Sequence, residues 1–103
     1  MNAFALHPGA FDDLAVIRRD VAEDNPDAAD RLVLEILNVI RTLVPFPHLG
    51  FQRPQLTSRP LRFTVVREYV IAYAPDHKPL LVVAVIHGRR SPRVMAALLR
   101  GRE

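Results

Sequence analysis

The spacing of apolar positions changes along the chain, and the changes outline an α+β fold. Residues 2–6 (NAFAL) alternate and predict a short opening strand, which His7-Pro8-Gly9 interrupts. Phe11, Leu14, Ile17 and Val21 then recur at three- and four-residue steps. That period predicts a helix from Pro8 to Glu23 with one apolar face. Asp24-Asn25-Pro26 stops this helix and starts another, because Asn25 can cap it and Pro26 suits a first turn whose N–H is unpaired anyway. Ala29, Leu32, Val33, Ile36, Leu37, Ile40, Leu43 and Val44 carry the second helix from Pro26 to about Leu43. Their stripe is broad enough to pack on a sheet and on the first helix, and the short break folds the two into an antiparallel hairpin.

Pro45, Pro47, Gly50 and Pro54 make residues 45–58 a loop. The period then falls to two. Leu61, Phe63 and Val65 share one face of a strand, and Tyr69, Ile71 and Tyr73 share one face of the next, Tyr69 to Ala74. Arg67-Glu68 is the tight turn between them, although it lacks the Gly or Asn that such turns prefer. Pro75 to Pro79 form a second turn, and Leu80 to His87 a third strand. Its unbroken apolar run from Leu80 to Ile86 predicts a central strand covered on most of both faces. Gly88 ends it, and Ser91-Pro92 can open a short helix that runs to Leu99. The expected architecture is a single domain over residues 1–103: a strand, a helical hairpin, then a three-stranded antiparallel meander. One layer of helices covers one sheet face. The other face is left to side chains such as Arg62 and to whatever binds there.

Composition narrows the chemistry. The chain has 103 residues and no cysteine, which excludes a disulfide framework, a thiolate metal site and a cysteine nucleophile and fits a reducing cytoplasm. The N-terminal segment does not read as a signal peptide, and the longest apolar run is far short of the ~20 residues a membrane span needs, so no membrane association is expected. The four histidines have no metal-ligand spacing, and no metal or other cofactor is expected. Charge is unevenly spread. Residues 1–50 hold four arginines against eight carboxylates, whereas residues 51–103 hold ten basic residues against three carboxylates. Thirteen of the fourteen basic residues are arginine, with Lys78 the exception. Arginine suits planar recognition of phosphate and carboxylate, so the second half is the expected contact region.

The second half resembles the RelE/ParE superfamily of toxins from bacterial toxin–antitoxin modules. The resembling segments stand in order: FPHLG (46–50) after the helical hairpin, RPLRFTVVREY (59–69), YVIAY (69–73) and VVAVIHGRRSP (82–92). The last is similar to the superfamily's "V-x-x-V-x-H-x-R-R" ending. The resemblance implies one of two activities. RelE-like members cleave messenger RNA in the ribosomal A site; ParE-like members poison DNA gyrase. Both are held inactive by a co-expressed antitoxin whose flexible segment wraps the toxin, so a hetero-oligomer with antitoxin is implied, with a role in plasmid stabilisation.

Ribonuclease chemistry needs a base for the 2′-OH, an acid for the leaving oxygen and cations at the phosphate. RelE-like sites use lysines, arginines and a C-terminal tyrosine, and related members a Glu and His pair. This chain has no tyrosine after Tyr73 and no lysine besides Lys78. A metal-free nuclease built from His87, Arg62, Arg67 and Arg89, with Glu68 nearby, would be incomplete. The departure favours the ParE-like reading, a protein inhibitor of gyrase that needs no catalytic residue of its own; the alternatives are the RelE-like ribonuclease and a toxin-like fold that has lost activity and acts only as a binding module or corepressor. The residues expected at the target or antitoxin surface are Arg59, Arg62, Arg67, Tyr73, His87, Arg89 and Arg90, although Tyr69 and Tyr73 also suit plain sheet packing. Arg89 and Arg90 could instead pair with Asp12 or Asp13. An exposed sheet edge could accept an added strand, and an apolar groove an amphipathic helix.

Overall fold

The computed structural model describes residues 4–103. The expected start of the first strand at Asn2 and Ala3 lies outside the described residues. The elements run β1 (Phe4–Leu6), α1 (Pro8–Ala22), α2 (Pro26–Leu43), β2 (Arg62–Val66), β3 (Tyr69–Ala74), β4 (Leu80–His87) and α3 (Pro92–Arg100). Each helix begins with the same device, a capping side chain followed by proline. His7 Nδ1 accepts from Gly9 N–H at 2.9 Å, Asn25 Oδ1 from Ala28 N–H at 3.0 Å, and Ser91 Oγ from Val94 N–H at 3.2 Å.

The four strands form one sheet in the order β1-β4-β3-β2. β2, β3 and β4 are the expected antiparallel meander, and β1 lies parallel to the first part of β4, with Phe4, Ala5 and Leu6 opposite Leu80, Leu81 and Val82. The Arg67-Glu68 turn closes with Arg67 at φ 52°, so the arginine takes the left-handed conformation that glycine or asparagine usually supplies.

The core has two halves, one on each face of the sheet. α1 and α2 deliver Leu14, Ile17, Ile36, Ile40 and Leu43 against Ile71, Tyr73, Val82 and Val85. On the opposite face, Met95 and Leu99 of α3, with Leu56 and Leu61 of the preceding loop, cover Phe63, Val70, Ala72, Val83 and Ile86. The face expected to be open is therefore closed. The reason lies in β3 and β4: both are apolar on both faces, and leaving either face bare would expose several large side chains at ~25 cal/mol per Å². The short C-terminal helix is amphipathic and supplies the cover.

Residues 50–51 are tied to the outer edge of β2. Phe51 and Phe63 exchange two backbone hydrogen bonds of 2.9 and 2.8 Å. Gly50 N–H donates to the Tyr73 hydroxyl at 2.9 Å. A Cβ on Gly50 would sit 2.5 Å from that hydroxyl and 2.6 Å from the Phe63 carbonyl, so only glycine allows this approach.

Candidate functional site: an arginine-rich surface at the end of β4

The arginines singled out by sequence fall into two groups. Arg59 lies on the segment entering β2, and its Nη1 donates to the carbonyls of Leu99 (3.0 Å) and Arg102 (3.3 Å). It therefore caps the C-terminal end of α3, where a cation also complements the helix dipole. Arg62 Nη1 donates to the Gly50 carbonyl at 2.9 Å. Arg67 is exposed and pairs with Glu35 of α2, and that hydrogen bond is the main cause of its raised pKa. Tyr73 is fully buried, so it is core rather than contact surface. Burial raises its pKa, opposed by the Gly50 N–H and by Arg62.

Arg89 and Arg90 differ. Both are exposed, in the turn between β4 and α3, and Arg93 joins them from the first turn of α3. Among the described residues no carboxylate lies within ion-pair distance of the three. Their position is electrostatically unfavourable, because a helix N-terminus carries positive partial charge and α3 has no acidic residue in its first turn. Helix stability thus does not account for this cluster. Sequence reasoning had passed over Arg93; its spacing of three and four residues from Arg90 and Arg89 was the available signal.

His87 ends β4 beside this cluster. Its Nδ1 accepts the Arg89 backbone N–H at 3.0 Å, and its Nε2 lies 3.5 Å from Glu68 Oε2. In the neutral ring the proton then sits on Nε2, facing the carboxylate, and the lone pair of Nδ1 is engaged. The ring also meets Tyr69 edge-on, with centroids 5.2 Å apart. The imidazole is held by the turn it closes and offers no lone pair to a substrate. Tyr69 itself is raised in pKa by burial and then by Glu68 and Asp20.

The expected pairing of Arg89 or Arg90 with Asp12 or Asp13 does not occur. Asp13 of α1 instead binds Arg102, with Oδ1 2.8 Å from Nη2 and Oδ2 2.5 Å from Nη1. The Arg102 side chain is 15% exposed and that of Asp13 16%, and the hydrogen bond to Asp13 is the main cause of the raised Arg102 pKa. Arg102 Nη1 also donates to the Val83 carbonyl at 3.1 Å, and Asp13 Oδ2 accepts the Val85 N–H at 2.9 Å. This clasp joins α1, β4 and the segment after α3. No local pattern could reveal it, because its two charged members stand 89 residues apart.

Among the described residues no group of three or more His, Asp or Glu side chains could hold a metal ion, and no helix is long and apolar enough to cross a membrane.

Residues 4–92 match the family described as ParE toxin of type II toxin-antitoxin system, parDE. The fold is similar to that of a solved chain from the chromosomal ParDE toxin–antitoxin system of P. aeruginosa, with a TM-score of 0.67 and 18% sequence identity. The similarity covers 82% of this chain and 92% of that one. No curated protein matches the chain in sequence.

Proposed function

The chain belongs to the ParE toxin family of type II toxin–antitoxin systems, and on that premise we propose that it acts by binding, as a protein inhibitor of DNA gyrase that a cognate antitoxin neutralises. The observation that carries this reading is the exposed, unpaired cluster of Arg89, Arg90 and Arg93, kept at a helix N-terminus against the dipole. Arginines that the fold leaves exposed and unpaired suit an anionic surface, protein carboxylates or DNA phosphates, that arrives from outside. Arg59, Arg62 and Arg102 are already occupied within the fold. The antitoxin part of the reading draws on the same cationic region, which an acidic flexible segment would find quickly and in a salt-sensitive way.

The test uses purified, antitoxin-free protein with gyrase, ATP and supercoiled plasmid, stopped with detergent and protease. Linear DNA that requires gyrase is the expected product. Its absence, with folded protein that is toxic in cells, overturns the gyrase reading.

One observation favours a second reading. His87 and Glu68 stand as a His and Glu pair beside Arg67 and Arg89, the residue types of a metal-free ribonuclease. Ribosome-dependent cleavage of mRNA that disappears in His87→Gln would establish it. Gyrase poisoning that persists in His87→Gln would set it aside.

A further inference from the structure

Four of the large apolar side chains that the protein exposes belong to one short stretch of chain and the strand edge it borders. Phe46 and Leu49 are 66% and 71% exposed, in the turn that leads to Gly50, Phe51 is 42% exposed and Val65 of β2 is 53% exposed. Strand alternation puts Val65 on the same sheet face as Phe63, the face that α3 covers. Phe51 pairs with Phe63 across the edge, and their rings lie 6.3 Å apart. Phe63 is fully buried, yet the cover supplied by α3 and the preceding loop stops short of Phe51 and Val65. Single exposed apolar residues are ordinary, whereas a group at one edge marks a contact surface.

The charge around this group has one sign. From residue 36 to residue 67 the chain carries five arginines and no carboxylate. Arg53 lies over the Phe51 ring, 5.2 Å from its centroid, and no carboxylate among the described residues is within ion-pair distance of it. The carboxylates that bracket this stretch are engaged: Glu35 holds Arg67, and Glu68 faces His87.

The patch runs on toward the arginine cluster of the function proposed above. Val65 stands opposite Val70 and Val70 opposite Ile86, so one cross-strand row leads from the exposed edge to the end of β4. That row spans two strand spacings, about 10 Å. Gly88 N–H donates to the Glu68 carbonyl at 2.7 Å, which holds the turn bearing Arg89 and Arg90 against the turn that ends β2. Arg93 stands three residues before Ala96 and seven before Arg100, and both of these border the loop of residues 54–59. Helical spacing therefore puts Arg93 on the side of α3 that faces this loop.

The side-chain classes indicate the partner. Bases stack on open aromatic faces. Here Leu49 and Val65 have no such face, and Arg53 already covers one side of Phe51. Aliphatic and aromatic side chains together with arginine suit the centre of a protein interface instead. We propose that Leu49, Phe51 and Val65 are the apolar anchor of the gyrase contact. They seat on an apolar patch of the enzyme's protein surface whose carboxylates meet Arg53 on one side and Arg89, Arg90 and Arg93 on the other. The proposal rests on the gyrase reading. It adds that the contact crosses the end of the sheet from α3 to the β2 edge, and that it is made to protein rather than to DNA.

The test titrates toxin onto gyrase holoenzyme without DNA and reads poisoning separately with supercoiled plasmid. Leu49→Lys and Val65→Lys each add a cation at an exposed position, so the two kinds of partner respond in opposite directions. Against an apolar protein surface each variant should weaken binding about tenfold or more and lower the yield of linear DNA, with the melting transition unchanged. Against nucleic acid an added cation tightens binding. Val65→Thr keeps the shape and strand preference of valine and serves where the lysine variant does not fold. It should weaken binding about fourfold or more, the worth of one buried methyl group. Leu34→Lys, exposed on α2, should bind as the wild type does. Unchanged or tighter binding by Leu49→Lys and Val65→Lys overturns the proposal, as does wild-type binding that requires DNA or an equal loss in Leu34→Lys. Variants that poison gyrase normally but escape the antitoxin assign the patch to the antitoxin, and the proposal falls while the gyrase reading stands. Folded, toxic wild-type protein that neither binds nor poisons gyrase overturns that reading, and the proposal with it.

Discussion

Arg90 precedes α3 in the chain and Arg102 follows it, and the contrast between them separates two uses of one residue type. Arg102 is mostly buried, grips Asp13 with both nitrogens and satisfies the Val83 carbonyl. Arg90 stands at the mouth of a groove, exposed and with no carboxylate in reach among the described residues. A buried cation without a partner costs several kcal/mol, so Arg102 can exist only as part of its clasp. A solvated cation costs little wherever it stands, so Arg90 and its neighbours are free to be placed by the needs of a partner. The difference teaches that in an arginine-rich chain the candidates for function are the arginines the fold leaves unused.

Breaking the clasp is the sharpest challenge to that division. Asp13→Ala should lower stability by about 3 kcal/mol in denaturant unfolding, because it orphans both the Arg102 guanidinium and the Val85 N–H. A loss below about 1 kcal/mol would erase the distinction between the two arginine groups. At the β2 edge, Gly50→Ala should cost about 1–3 kcal/mol, since the added Cβ must displace the Tyr73 hydroxyl or the Phe63 carbonyl. Tyr73→Phe should cost about 1 kcal/mol by removing the acceptor of Gly50 N–H. Arg59→Ala should cost about 1 kcal/mol, with full toxicity retained whenever the protein is folded. At the other extreme, Arg89→Ala with Arg90→Ala and Arg93→Ala should leave the unfolding midpoint unchanged or slightly raised, as the cations oppose the α3 dipole. That triple variant should still lose toxicity in a growth assay. Retained toxicity would move the contact surface elsewhere.

Much of the fold was legible because its signals are local. The three cap-proline pairs, His7-Pro8, Asn25-Pro26 and Ser91-Pro92, mark helix starts within two residues of sequence. The meander was legible from its period and its turns. The closed second face was half visible: the unbroken apolar run of β4 demanded a cover, and the amphipathic segment after Ser91 was the one element left to provide it. The arginine roles were not legible. Arg59 and Arg89 look alike in sequence, and only the approach of Leu99 and Arg102 to one of them, 40 and 43 residues along the chain, separates the two. The exclusion of Tyr73 from the surface was hidden for a similar reason. Alternation put Tyr73 on one face of β3 but could not tell that α2 lies over that face.

The Asn25-Pro26 break has a consequence for assembly. Two consecutive helices joined by so short a link could in principle straighten into one long helix, and a toxin in that form would exchange its α1 and β1 with a second copy. Pro26 opposes this. Within a continuous helix it would lack an N–H for the Ala22 carbonyl and its ring would press on that carbonyl, at a cost of about 3 kcal/mol or more. A single imino acid thus guards the chain against domain swapping and keeps the strand that begins the sheet in the same molecule as the strand it pairs with.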